Sequence, residues 1–227
     1  MREGPGPACA GLAARNLRQG PEQVCAGLAA RDSRERVRLV LASANPHKRR
    51  ELARLLLPHR IDALPSGVQL PPETGATFAD NARLKACAAA VATGRAAFAD
   101  DSGIEAHALG GAPGVRSARY AGESATDEEN LEKLRAQAPP GSALAYVCAI
   151  AYIDPATGAE ALVEERCTGT LAAEPRGEGG FGYDPIFLPD DRDRDDDRTM
   201  AQLSDAEKDA ISHRGRAARA LLACLSR

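Results

Sequence analysis

Asn45-Pro46 constrains this chain more than any other pair of residues. Asn at a helix N-cap lends its side-chain oxygen to the first unpaired amides. Pro directly after it suits the first helical position, where no amide hydrogen is needed. The β-rich run Val37-Arg-Leu-Val-Leu41 stands just upstream, and a helical stretch through Leu57 follows, closed by Pro58. A strand that hands over to a capped helix begins a βα unit, so an α/β fold is predicted. The pattern recurs along the chain. A strand is expected near Ile61 to Leu64. Thr77-Phe-Ala-Asp80 resembles a capping box and opens a helix to about Thr93, where Gly94 stops it. Ala96 to Ala99 reads as a short strand ending in the turn Asp100-Asp101-Ser102-Gly103. Thr126-Asp-Glu-Glu129 starts a further helix that ends before Pro139-Pro140.

The second half changes character. Leu144 to Ile153 and Ala159 to Leu171 flank Asp154-Pro-Ala-Thr-Gly158, a hairpin signal, so the sheet is expected to be mixed rather than parallel. A Gly/Pro-rich loop covers Gly110 to Gly122, and a glycine loop covers Gly177 to Asp184. Residues 190–197, six Asp and two Arg, read as a solvated, mobile loop. Ser204-Asp-Ala-Glu207 opens the last helical region, which ends near Leu225. Residues 1–36 read separately, because Cys9-Ala-Gly-Leu-Ala-Ala-Arg15 recurs as Cys25-Ala-Gly-Leu-Ala-Ala-Arg31 amid Gly and Pro. Two copies make no solenoid. This segment is expected to be a disordered, low-complexity tail ahead of one folded domain at 37–227.

Composition limits the core and the partners. Trp is absent and Phe and Tyr number four each, so Ala, Leu and Val must carry the burial. The formal net charge of −3 provides no global basic field for a nucleic-acid backbone, so any phosphate recognition is local. The longest apolar run, Ala143 to Ile153, falls short of the roughly 20 residues of a membrane span and reads as a buried strand. The N-terminus lacks the basic-then-apolar pattern of a secretion signal. Six Cys without a CxxC pair argue against a zinc site and a disulfide framework. Buried free thiols and a cytoplasmic location are therefore expected.

Four segments carry groups fit for phosphate and base chemistry. In Ser43-Ala-Asn-Pro-His-Lys48, a helix N-terminus meets Ser43, Asn45 and the charge of Lys48. Such a terminus stabilises an anion. The spacing is not that of a P-loop. Asp100-Asp101 lies at the expected carboxyl end of a strand, where α/β proteins bind ligands. Successive side chains on a strand diverge, so one of the two would meet a given ligand. Mg2+ needs only one or two carboxylates beside waters and phosphate oxygens. Asp101 with the distant Glu73 would suffice.

Gly177-Glu-Gly-Gly-Phe-Gly182 matches GxGxxG literally, but Pro185 prevents the helix a dinucleotide site requires. These glycines instead allow a tight loop presenting Phe181 and Tyr183 for stacking. His213 and Arg214, in Ile211-Ser-His-Arg-Gly215, could donate to a purine carbonyl. Taken singly, each segment also fits a plainer role. These are a capped helix with a surface Lys, a solvated turn, a loop with two aromatics in the core, and a basic helix face in solvent. GxSxG and HExxH are absent, and the four His lack metal-ligand spacing.

The order of the segments is more specific than any one of them. Ser43-Ala-Asn-Pro-His-Lys48, Glu73-Thr-Gly-Ala-Thr-Phe78, Asn81-Ala-Arg-Leu-Lys-Ala86 and Ala99-Asp-Asp-Ser-Gly103 come first. Gly110-Gly-Ala-Pro-Gly114, Ser117-Ala-Arg-Tyr120, Phe181-Gly-Tyr-Asp184 and Ser212-His-Arg214 follow. The series resembles the Ham1/RdgB family, the inosine/xanthosine triphosphate pyrophosphatases, over about residues 37–227.

The resemblance implies an elongated, two-lobed α/β fold with a central mixed sheet flanked by helices, a cleft between the lobes, and a homodimer. It implies that Ser43, Asn45 and Lys48 hold the triphosphate of a non-standard purine nucleotide, with Lys85 and Lys208 assisting. Glu73 and Asp101 would organise Mg2+, and Asp101 would also be the general base. Ser102 would lie against the substrate. Phe181 would stack on the base, with Gly182, Tyr183 and Asp184 shaping that end, while His213 and Arg214 read the 6-keto edge. The implied reaction gives nucleoside monophosphate and pyrophosphate.

Ala44 stands where the family has Gly, Asp80 where it has Glu, and the acidic loop at 190–197 is longer than the family pattern. A Maf-type pyrophosphatase acting on pyrimidine or modified nucleotides shares the βα start, though the Phe181-Gly-Tyr-Asp and Ser212-His-Arg segments argue against it. A non-catalytic nucleotide-binding protein of the same fold is the other alternative. A nucleic-acid-binding role is not expected without a basic stripe.

Overall fold

Capping places the helices where the sequence puts them. The computed structural model describes residues 24–27, 36–193 and 195–226. Asn45 Oδ1 accepts from the amides of His47 and Lys48 at 2.8 and 3.2 Å and starts α1, Pro46–Leu55. The Thr77 hydroxyl accepts from the Asp80 amide and starts α2, Phe78–Thr93, which Gly94 ends at φ +63°. Reciprocal capping boxes start α3, Asp127–Gln137, at Thr126 and α4, Asp205–Ile211, at Ser204. A fifth helix, α5, spans His213–Leu225. The expected single last helical region is thus two helices, parted at Ser212 by an extended backbone of ψ 154°.

Among the described residues, seven strands form one mixed sheet. They are β1 Val24–Ala26, β2 Arg38–Leu41, β3 Arg60–Ala63, β4 Ala97–Ala106, β5 Ala143–Asp154, β6 Ala159–Leu171 and β7 Phe187–Pro189. The order is β1-β6-β5-β4-β2-β3, with β7 also on β6. β2 runs parallel to β3 and β4, while β1 and β7 run antiparallel to β6. The hairpin expected around Asp154–Gly158 joins β5 to β6. The predicted α/β class with a mixed central sheet is the observed one.

The chain divides into two compact units, one of residues 1–101, 149–164 and 217–227 and one of residues 102–148 and 165–216. β4, β5 and β6 each give one end to the first unit and the other to the second. In the first unit α1 packs on β3 and α2 on β2. Its core is built on Leu39, Leu41, Leu52, Phe98, Ile150 and many alanines, as the shortage of aromatics requires. In the second, one cluster gathers Ile104, Leu131, Leu134, Tyr146, Tyr183, Ile186, Phe187 and Met200.

Three local expectations are corrected. β4 does not stop at Ala99, for Asp100 and Asp101 lie inside the strand, both buried. Their charges are matched by the partly buried Lys48 and the buried Lys85, so the strand can continue where the local sequence signals a turn. Val24–Ala26, inside the segment expected to be disordered, forms β1 against β6; residues 1–23 and 28–35 lie outside the described residues. Cys25 and Cys224 form a disulfide across 199 residues, and Cys87 is also disulfide-bonded, whereas Cys148 and Cys167 are buried thiols outside any disulfide. Spacing within the sequence could not reveal so distant a pair. The cysteines therefore no longer argue for a reducing compartment. In the acidic loop, Asp196 accepts from Arg192 and Arg198, and the Arg198 guanidinium holds its carboxyl down at about 2.

Candidate active site

Two elements aim lysines at the acidic pair of β4 in the first unit. α1, fixed by the Asn45 cap, brings Lys48 Nζ to 3.0 Å from Asp100 Oδ2. The Ser43 hydroxyl accepts from the Asn45 amide at 3.2 Å and steadies the approach to the helix. α2 carries Lys85 one turn beyond Asn81. Lys85 Nζ lies 2.7 Å from Glu73 Oε1 and 2.8 Å from Asp101 Oδ1. Alternation along the strand thus sends the two neighbouring carboxylates to different lysines.

Asn81 ties the loop to the strand. Its amide nitrogen donates to Asp101 Oδ2 at 3.2 Å, and its oxygen accepts from the Gly75 amide at 2.8 Å. A Cβ at Gly75 would crowd Asp80 and Asn81, so the loop carrying Glu73 can approach α2 only with glycine there. The sequence assigns Asn81 no role, because nothing local in it pairs this residue with Asp101.

The electrostatics differ across the cluster. Burial pushes the Asp101 carboxyl above its ordinary range, outweighing the pull of Lys85. Burial is the largest single influence on Glu73 and raises it, but the charge and hydrogen bond of Lys85, with Lys48 and Asp101, together outweigh it, and its pKa falls. Lys85 is desolvated, yet Asp101, Asp100 and Glu73 outweigh that and hold it charged. Glu73 and Asp101 therefore turn oxygens toward one cation position, here shared by an ammonium. Oxygen donors suit a hard divalent ion. Among the described residues no three or more His, Cys, Asp and Glu side chains converge as a full cage. Mg2+ does not demand one, since it keeps waters and takes phosphate oxygens.

The second unit holds the other predicted residues. The glycine loop folds back on itself, with Gly180 at φ +72° and Gly182 at φ +64°. A Cβ at Gly180 would collide with the Asp184 carboxylate. Asp184 is a hub. It accepts from the Phe181 amide at 2.9 Å, Lys208 Nζ at 2.6 Å and the Tyr146 hydroxyl at 3.1 Å. The Gly182 amide donates to Asp127 Oδ2 at 2.9 Å. Phe181 is half-buried, with Lys208 Nζ and the Arg214 guanidinium carbon 5.2 and 5.4 Å from its ring centre. Arg214 donates to the Ser102 hydroxyl at 2.8 Å.

The break at Ser212 puts His213 and Arg214 at the start of α5, 4% and 2% exposed. They are not a basic helix face in solvent. Tyr183 is turned into the core, its hydroxyl donating to the Ser117 carbonyl at 2.8 Å, so it anchors the loop. Lys208, expected to assist with phosphates, is engaged here with Asp184 and Phe181.

The Asp184–Lys208 pair is buried on both sides. Removing one charge from such a pair leaves the other without compensation. Asp184→Asn is expected to destabilise the protein by about 3–5 kcal/mol, read by urea denaturation. A loss no larger than that of a surface substitution would show that the pair is solvated in solution.

The Ham1 family model matches residues 39–224, and the chain belongs to the Ham1 family. It is 52% identical over 160 residues to the dITP/XTP pyrophosphatase of Mycobacterium tuberculosis (strain ATCC 25618 / H37Rv), covering 68% of this chain and 74% of that protein. The dITP/XTP pyrophosphatase of Deinococcus radiodurans is 49% identical over 159 residues, covering 69% and 76%. Among solved structures, a HAM1 protein from Coxiella burnetii superposes with TM-score 0.71 at 42% identity, covering 84% of this chain and 98% of that one.

Proposed function

We propose that the chain hydrolyses non-standard purine nucleoside triphosphates, namely ITP, dITP and XTP, to the monophosphate and pyrophosphate, and so clears them from the nucleotide pool. The names carried by its relatives support this reading. One observation carries it. Within the first unit, Lys85 ties Asp101 to Glu73, two carboxylates turned to one cation position, while Lys48 of α1 reaches the neighbouring Asp100.

Lys48 and the start of α1 bind the triphosphate and stabilise charge on the departing pyrophosphate. Asp101, its pKa raised by burial, takes a proton from the attacking water. Lys85 holds Asp101 and Glu73 in place. Glu73 and Asp101 would hold Mg2+, which when bound neutralises phosphate charge and lowers the pKa of its water. Phe181 stacks on the base. His213 and Arg214 donate to a 6-keto oxygen, where the amino group of ATP would bring donors against donors. A homodimer belongs to the same reading and rests on the family resemblance. Among the described residues no helix is long and apolar enough to cross a membrane.

A pyrophosphate-release assay over ITP, dITP, XTP, ATP, dUTP and a modified UTP tests the reading. The three non-standard purines are expected to be cleaved, ATP poorly, and chelation of divalent ions to stop release. Preference for the uridine nucleotides would instead indicate Maf-type activity. Tight ITP binding without pyrophosphate at any Mg2+ concentration would indicate a binding protein.

A further inference from the structure

Tyr146 lies on β5 inside the longest apolar run of the chain and touches no proposed phosphate-binding group. Its ring is stacked on the imidazole of His213, with centroids 4.5 Å apart and planes 11° from parallel. Its other aromatic neighbour is Phe187, at 4.5 Å and 38°. Its hydroxyl donates to Asp184 Oδ1 at 3.1 Å. The second oxygen of that carboxylate holds the Phe181 amide and Lys208 Nζ. One buried side chain therefore grips His213 by its face and, through Asp184, the backbone of Phe181. A site that reads a base by hydrogen bonds requires donors held within fractions of an ångström, which supporting side chains supply.

We propose that Tyr146 is a positioning residue for base recognition, holding His213 by stacking and Phe181 through Asp184. Burial and the adjacent Asp184 charge keep the phenol protonated, so it remains a donor. The inference rests on the base-recognition reading above. If His213 and Phe181 contact the base, loosening them must weaken binding of the 6-keto purine, which uses both the keto contact and the stack, more than binding of ATP, which uses only the stack, without changing bond cleavage.

The test compares wild type, Tyr146→Leu and Tyr146→Phe with ITP and ATP, alongside the NMR signal of the His213 ring. In the wild type, the imidazole carbon-bound protons should be shifted upfield by the tyrosine ring current. Tyr146→Leu is expected to abolish that shift and raise KM for ITP by about 2- to 10-fold, the worth of one aromatic pair, with kcat unmoved and the KM for ATP raised less than that for ITP. Tyr146→Phe keeps the ring and should restore the shifted signal and a KM below that of the Leu variant. Three results would overturn the proposal: unchanged KM in a folded Leu variant, equal KM increases for ITP and ATP, or a Phe variant no better than Leu. If Tyr146→Leu does not fold, a wild-type His213 signal without the upfield shift overturns it alone. A wild type that cleaves no ITP overturns the functional reading, and this proposal with it. Active wild type with unmoved variants overturns only the proposal.

Discussion

Replacing Asp101 by Asn is expected to lower turnover of ITP by about 10²–10⁴-fold, the range of a general base, while nucleotide binding is retained. The substitution keeps the shape and the bond to Asn81 but removes the charge and the proton acceptor. Lys85 still has Glu73 at 2.7 Å as counter-ion, so the local structure need not collapse. Single-turnover pyrophosphate release, read beside calorimetric ITP binding, separates the two effects. Full turnover would remove Asp101 from the chemistry. Lost binding with normal turnover of whatever is bound would assign it to the substrate complex instead.

The second large effect is expected at the far end of the substrate. Arg214→Ala should reduce kcat/KM for ITP by about 10- to 150-fold, the worth of a hydrogen bond to a charged group, and leave ATP nearly unaffected. The side chain is 2% exposed, donates to Ser102 and lies near the Phe181 ring, so it is well held before any ligand arrives. Competing ITP and ATP in one assay reads the selectivity directly. An equal loss for both nucleotides would show that Arg214 serves phosphate binding or structure.

What could be read from the sequence is what is decided locally. Asn45, Thr77, Thr126 and Ser204 announced helix starts because a cap satisfies amides two or three residues away. The residues of both clusters were legible through the family resemblance, and Lys48, Glu73, Lys85 and Asp101 do meet in one unit. The misreadings all involve distant partners. Asp100-Asp101-Ser102-Gly103 reads as a turn until Lys48 and Lys85 arrive from two helices. Ser204 to Leu225 reads as one helical region, although Ser212 divides it and so buries His213 and Arg214. Tyr146 looked like one more apolar strand residue, because Asp184 and His213 lie 38 and 67 positions further along. Cys25 gave no sign of Cys224.

The paired acids of β4 also act as an alignment key during folding. Asp100 belongs to a lysine from α1 and Asp101 to a lysine from α2. Slipping the strand one residue in one direction would set Asp101 before Lys48 and leave neutral Ser102 to face Lys85. Slipping it the other way would set Ala99 before Lys48. Either error parts one lysine from its β4 carboxylate, on top of turning the apolar side chains to the wrong face. The same charges proposed to serve the reaction therefore reject misaligned sheets, and a variant that neutralises one of them is more tolerant of a misplaced strand than the natural chain.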